Sequence, residues 1–157
     1  MQIYPSIDTH VVDIPILAFD KLDGSNIRVE WTRKRGFSKF GTRRRLMDAS
    51  EPVLGEAVGL FQNTFEDTLS DKFKKLRYEK ATVFLEFTGP NSFAGLHEDE
   101  EHTLTLLDVH LYKQGLLTPK DFLKHFEGVL PIPEVLYTGK PNQDFIACIL
   151  SGLDCKF

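Results

Sequence analysis

Apolar residues recur along this chain at two spacings. Ile27, Val29 and Trp31 alternate with Arg28, Glu30 and Thr32, the period of a half-buried strand whose polar side faces water. Just before it, Pro15 to Phe19 is a short apolar run opened by proline, which fits the first position of a strand. Asp23-Gly24-Ser25-Asn26 lies between the two and predicts a tight turn, hence a hairpin. Gly36 then turns the chain into a third strand, Phe37 to Phe40, ending at Gly41-Thr42-Arg43. Thr82 to Thr88 and Leu104 to Leu111 read as buried strands, each with one acid set among apolar residues, Glu86 and Asp108.

The second spacing is helical. Leu54, Val58, Phe61 and Phe65 share one face of a helix that Ser50 would cap, with Pro52 in its first turn. A further stretch runs from Ser70 through Phe73, Leu76 and Arg77. Thr118-Pro119 opens a helix with Phe122, Leu123 and Phe126 on its apolar face and Gly128 as its stop. Pro131 to Tyr137 is extended, and Asn142 caps a last helix running to Gly152. Met1 to Asp13 gives no clear element, and His10 reads as a surface histidine.

The chain has 157 residues, enough for one domain with a single core. Apolar residues make up 41% and charged residues 27%, the balance of a soluble globular protein, with no run long enough to span a membrane and no signal-peptide pattern. Cys148 and Cys155 are too few and too close for a secreted disulfide framework, which predicts reduced thiols in a cytoplasmic or nuclear setting. A net charge of −4 hides an uneven distribution. Between Arg28 and Arg45, Glu30 faces Arg28, Arg33, Lys34, Arg35, Lys39, Arg43, Arg44 and Arg45, a segment able to engage phosphates. His97-Glu98-Asp99-Glu100-Glu101-His102 reads as a solvated acidic loop rather than a metal site.

Two groups stand out chemically. Lys21 ends the first strand, where an amine can be held and still be reached, and an amine whose charge is suppressed is a nucleophile toward phosphorus. Glu86 is a carboxylate in an apolar strand, costly to bury without a partner. Lys21-Leu22-Asp23-Gly24 has the form Lys-x-Asp-Gly and resembles motif I of the covalent nucleotidyltransferases, which comprise ATP-dependent DNA and RNA ligases and mRNA capping enzymes. Ser25 and Asn26 continue it as in the ATP-dependent RNA ligase family. Thr42-Arg43 resembles motif Ia, Glu86 with Gly89 motif III, and Leu107-Asp108 motif IIIa, where this chain has leucine in place of an aromatic.

The resemblance implies a nucleotidyltransferase domain over 1–157 with an α/β (α+β), ATP-grasp-like core: a mainly antiparallel twisted sheet flanked by helices. It implies an ATP-dependent RNA ligase in which Lys21 forms a lysyl-AMP intermediate, AMP passes to an RNA 5′-phosphate, and a 3′-hydroxyl seals the strand. Asp20, Lys21, Leu22, Asn26, Arg43, Glu86 and Leu107 would contact the nucleotide, with Asp23, Gly24, Ser25 and Asp108 supporting the motifs. Arg33, Lys34, Arg35, Arg44 and Arg45 would meet RNA ends or a nicked duplex. ATP with Mg2+ or Mn2+ is implied, acting on a monomer away from membranes, with the metal ligands unassigned. Glu127-Gly128-Val129 copies motif IV, but its place at a helix end argues against that role. Motifs IV and V are therefore missing, so the domain reads as incomplete at its C-terminal end. A non-catalytic nucleotide- or RNA-binding module, a DNA ligase and a capping guanylyltransferase are the alternatives.

Overall fold

A computed structural model describes residues 2–4, 14–92 and 99–151. The chain divides into two compact units, one of Met1–Tyr4 with Leu22–Ile132, the other of Pro5–Lys21 with Pro133–Phe157. The first unit is built on a six-stranded sheet in which every pairing is antiparallel. Its strands are β2 (Ser25–Thr32), β3 (Gly36–Thr42), β4 (Leu46–Met47), β5 (Lys80–Thr88), β6 (Thr103–Leu111) and β7 (Gly115–Leu116), in the order β4-β3-β2-β5-β6-β7. The mixed α/β class and antiparallel pairing agree with the expectation from sequence.

One face of this sheet is apolar. Ile27, Val29 and Trp31 of β2, Val83, Leu85 and Phe87 of β5, and Leu106 and Val109 of β6 are completely buried. Helices α1 (Glu56–Thr64) and α2 (Glu66–Lys75) bring aromatic rings to this layer. Phe61 meets Phe37 and Phe40 edge-on at 4.8 and 5.5 Å, and Phe73 meets Trp31 at 5.2 Å. Each such ring contributes roughly 1.5–3 kcal/mol by leaving water. Helix α3 (Pro119–Phe126) joins α2 through Lys72, whose ammonium donates to the His125 carbonyl and lies 5.4 Å from the Phe126 ring centre.

Helix α3 starts as predicted, Thr118 accepting from the Asp121 amide, and Glu127 ends it with Gly128 at φ +68°. Glu127 is thus on no strand. Helix α1 starts later than Ser50. The Ser50 amide and hydroxyl both donate to the Asp48 carboxylate, and Val53 at φ +60° interrupts any helix there. Gly55 precedes the first helical residue, where a Cβ would meet the Glu51 carbonyl oxygen at 2.4 Å.

In the second unit β1 (Ile16–Phe19) pairs antiparallel with β8 (Val135–Gly139), and helix α4 (Gln143–Ser151) follows. Asn142 caps α4 by accepting from the Phe145 amide at 2.7 Å, and Phe145 stacks on Tyr137 at 4.2 Å. The predicted hairpin of the first two strands does not form, because β1 and β2 belong to different sheets. Cys148 is disulfide-bonded, not a reduced thiol, so the compartment inferred from free cysteines loses that support. Cys155, His10, His97 and Glu98 lie outside the described residues. Among the described residues no helix is long and apolar enough to cross a membrane.

Candidate functional site

The opposite face of the six-stranded sheet carries the polar residues, and the strand register sets them in rows. Asn26 pairs with Glu86, and Glu86 with Thr105. The next row runs Gly41, Arg28, Phe84, Asp108, and the one after it Lys39, Glu30, Thr82, His110. Alternation in β2 predicts that Arg28 and Glu30 face water, yet they are only 7% and 6% exposed. Residues 2–4 contribute to this cover. Arg28 donates to the Gln2 carbonyl at 3.1 Å, and the Tyr4 ring packs on Phe84 at 4.7 Å.

Glu86 is tied to the turn that precedes β2. The Gly24 amide donates to its Oε1 at 3.2 Å, and the Asn26 side chain donates to the Leu85 carbonyl at 3.3 Å. Only glycine fits at position 24, where a Cβ would lie 2.2 Å from the Phe87 carbonyl oxygen. The Ser25 hydroxyl donates to the Ser92 carbonyl, drawing the loop after β5 to the same turn. Gly89 starts that loop at φ +117° and packs on His102, which bridges the Pro90 carbonyl at 2.7 Å and the Glu56 carboxylate at 2.5 Å. The Gly24-Ser25-Asn26 turn and Glu86, far apart in sequence, are thereby one constellation.

Leu107 and Asp108 come to this face by a register shift. Phe84 pairs with Asp108 but Leu85 with Leu106, so Leu107 is an extra residue in β6. Burial pushes the Asp108 carboxyl up to about 6, against the pull of the Val109 amide that donates to it. The Tyr4 phenol is pushed up to about 12 by burial and by the charges of Asp108 and Glu86, so it stays protonated beside two carboxyl groups. Burial works against the charge on Glu30, but Lys80 and Lys39 hold its carboxyl below the usual range, at 3.4 and 3.7 Å.

The remaining sequence candidates are distributed differently. Asp20 and Lys21 belong to the second unit, where the Asp20 amide donates to the Glu134 carbonyl at 2.8 Å and Lys21 is exposed. Leu22 is half-buried and Asp23 exposed. Arg43 and Arg44 are exposed after β3, and the Thr42 hydroxyl accepts from the Arg44 and Arg45 amides. Arg45 forks onto Glu51 at 2.6 and 2.8 Å. Arg33 donates to the Tyr78 and Lys74 carbonyls and pairs with Glu79, whereas Lys34 and Arg35 are exposed. Alternation puts Arg28 and Glu30 on this face but does not predict their burial, and Tyr4, from a stretch without a clear pattern, is not predicted there at all.

Among the described residues no three His, Cys, Asp or Glu side chains gather as a metal would require. A magnesium ion is commonly held by one or two carboxylates together with substrate phosphates, and Glu86 and Asp108 are compatible with that looser kind of site.

No family model and no curated protein sequence matches this chain. Solved structures do. A mutant of the Naegleria gruberi RNA ligase with AMP and Mn matches at a TM-score of 0.64 and 14% identity, covering 83% of this chain and 39% of the ligase. A second mutant with AMP and Mn matches at 0.64 and 14%, covering 88% and 41%. A mutant with ATP and Mn matches at 0.61 and 15%, covering 83% and 39%. The chain therefore shares the RNA ligase fold and spans about two fifths of the ligase chains it matches.

Proposed function

We propose that this chain is the nucleotide-binding core of an ATP-dependent RNA ligase. The observation that carries the reading is the Gly24 amide on the Glu86 carboxylate, because it joins motif I to motif III on the polar face of a fold shared with RNA ligases. In this reading the Lys21 amine attacks the α-phosphorus of ATP, a P–N bond forms, and the bond to pyrophosphate breaks. Glu86 accepts from the ribose hydroxyls, Leu107 offers an aliphatic surface to the purine, and Arg43 presents a guanidinium fork to phosphate. Asp20 and Leu22 flank the nucleophile, and Asp23 orients the loop.

The adenylate then passes to an RNA 5′-phosphate near Asn26, and a 3′-hydroxyl displaces AMP to join the strands. Exposed Lys34, Arg35 and Arg44 are the better placed RNA contacts, since Arg33 and Arg45 already hold carbonyls or carboxylates. A divalent cation, Mg2+ or Mn2+, would offset charge on the triphosphate when bound.

The test is incubation of the whole protein with α-labelled ATP and Mg2+ or Mn2+. Label retained through denaturation in the wild type and lost in Lys21→Ala supports the reading; GTP in a parallel arm identifies the base. Equilibrium binding that never becomes covalent would leave a nucleotide-binding module instead.

A further inference from the structure

About 13 Å along β5 from Glu86, four residues at roughly 3.3 Å each, the polar face opens into a separate cavity. It has a volume of about 250 Å³ and is lined by Gln2, Glu30, Lys80, Ala81, Thr82, His110 and Tyr112. Its floor is the row Glu30, Thr82, His110, built across three strands. None of these side chains takes part in the adenylylation described above.

The one carboxylate of the cavity is neutralised by lysine. Glu30 is shared by two lysines, Lys39 and Lys80, and Lys113 lies 5.4 Å from the centre of the Tyr112 ring. Tyr112 is 56% exposed at the rim and presents an aromatic face beside a lysine. Lys34 and Arg35 are exposed in the turn after β2, whose last residue, Thr32, pairs with Lys80. An exposed ring flanked by cations and a small polar recess is the combination that binds single-stranded nucleic acid. The ring stacks a base of any identity while the cations follow the backbone.

We propose that this cavity and Tyr112 hold one nucleotide of a single-stranded segment, its base on the Tyr112 ring and its phosphate between Lys80 and His110. The identity of the strand as RNA rests on the function proposed above; the docking itself does not.

The experiment is fluorescence anisotropy of a labelled 12-nucleotide RNA, and of DNA of the same sequence, with the whole protein. Tyr112→Ala is expected to weaken binding about tenfold and Tyr112→Phe to restore it. His110→Ala is expected to weaken binding severalfold by removing a hydrogen-bond partner of the phosphate. All three variants should capture α-labelled ATP as the wild type does. The tighter of the two strands names the sugar. A wild type that captures label but binds neither strand overturns this inference and leaves the first reaction step standing. Equal strand affinity in Tyr112→Ala and wild type overturns it too. Tyr112-dependent binding without label capture supports it and removes the ligase reading.

Discussion

The Gly24 amide and the Glu86 carboxylate meet across 62 positions of sequence, N to Oε1, at 3.2 Å. The contact depends on backbone closeness that a methyl group would abolish, since a Cβ on residue 24 would also lie 2.9 Å from Thr88 Cγ2. Gly24→Ala should therefore destabilise the first unit by about 1–3 kcal/mol in denaturant titration. Glu86→Ala should fold with little loss yet weaken ATP binding at least tenfold by calorimetry. Undiminished affinity there would remove Glu86 from the site.

Asp108 makes stability depend on pH in an identifiable direction. Its folded value of about 6 lies above the ordinary carboxylate range, so between about pH 4 and pH 6 the unfolded chain ionises first and stability falls as pH rises. The full loss, reached above pH 6, is about 3 kcal/mol at most. Asp108→Asn should match the wild type near pH 4 and exceed it at pH 7.5 in chemical denaturation. It should also lower the Tyr4 phenol toward its ordinary value in ultraviolet titration, because Asp108 is one of the charges holding it up.

His102 works in the opposite sense. The Pro90 carbonyl first, then Glu56, raise the imidazole above its ordinary value, while burial opposes them. Its contribution is complete below about pH 6.5 and disappears as pH rises through the raised value. The stability difference between wild type and His102→Ala should shrink from pH 6 to pH 9. A difference independent of pH would mean that packing on Phe87, 4.7 Å away, is all the ring supplies.

Phe61 touches Phe37, Phe40 and Phe65 and is completely buried. Phe61→Ala should cost about 3–5 kcal/mol and lower the midpoint of thermal unfolding by far more than Leu46→Ala, whose side chain is 60% exposed.

The strands β5 and β6 were legible because their apolar runs are continuous and bounded by turn residues. The caps at Thr118 and Asn142 were legible for a local reason too, since a capping side chain needs only the next three residues. What local pattern cannot convey is a partner far along the chain. Strand β1 pairs with β8 instead of its neighbour, and residues 2–4 cover Arg28 and Phe84, so both faces of β2 are buried where alternation predicted one. The Ser50 cap failed because Asp48, two residues earlier, competes for the same hydroxyl and amide. For the site, Gly24 and Glu86 were readable by resemblance, whereas the charges of Glu30, Lys39 and Lys80 became a set only once the register was known.

Leu107 acts as a phase shifter in β6. Leu104 and Leu106 before it, and Val109 and Leu111 after it, are all buried on one side although the two pairs differ in parity. Deleting that single residue would leave Leu104, Leu106, Val109 and Leu111 in strict alternation with Thr105, Asp108 and His110, and would erase the bulge that sets Leu107 beside Asp108. Point substitutions at 107 keep the extra residue and with it the bulge, whereas a deletion at 107 removes it.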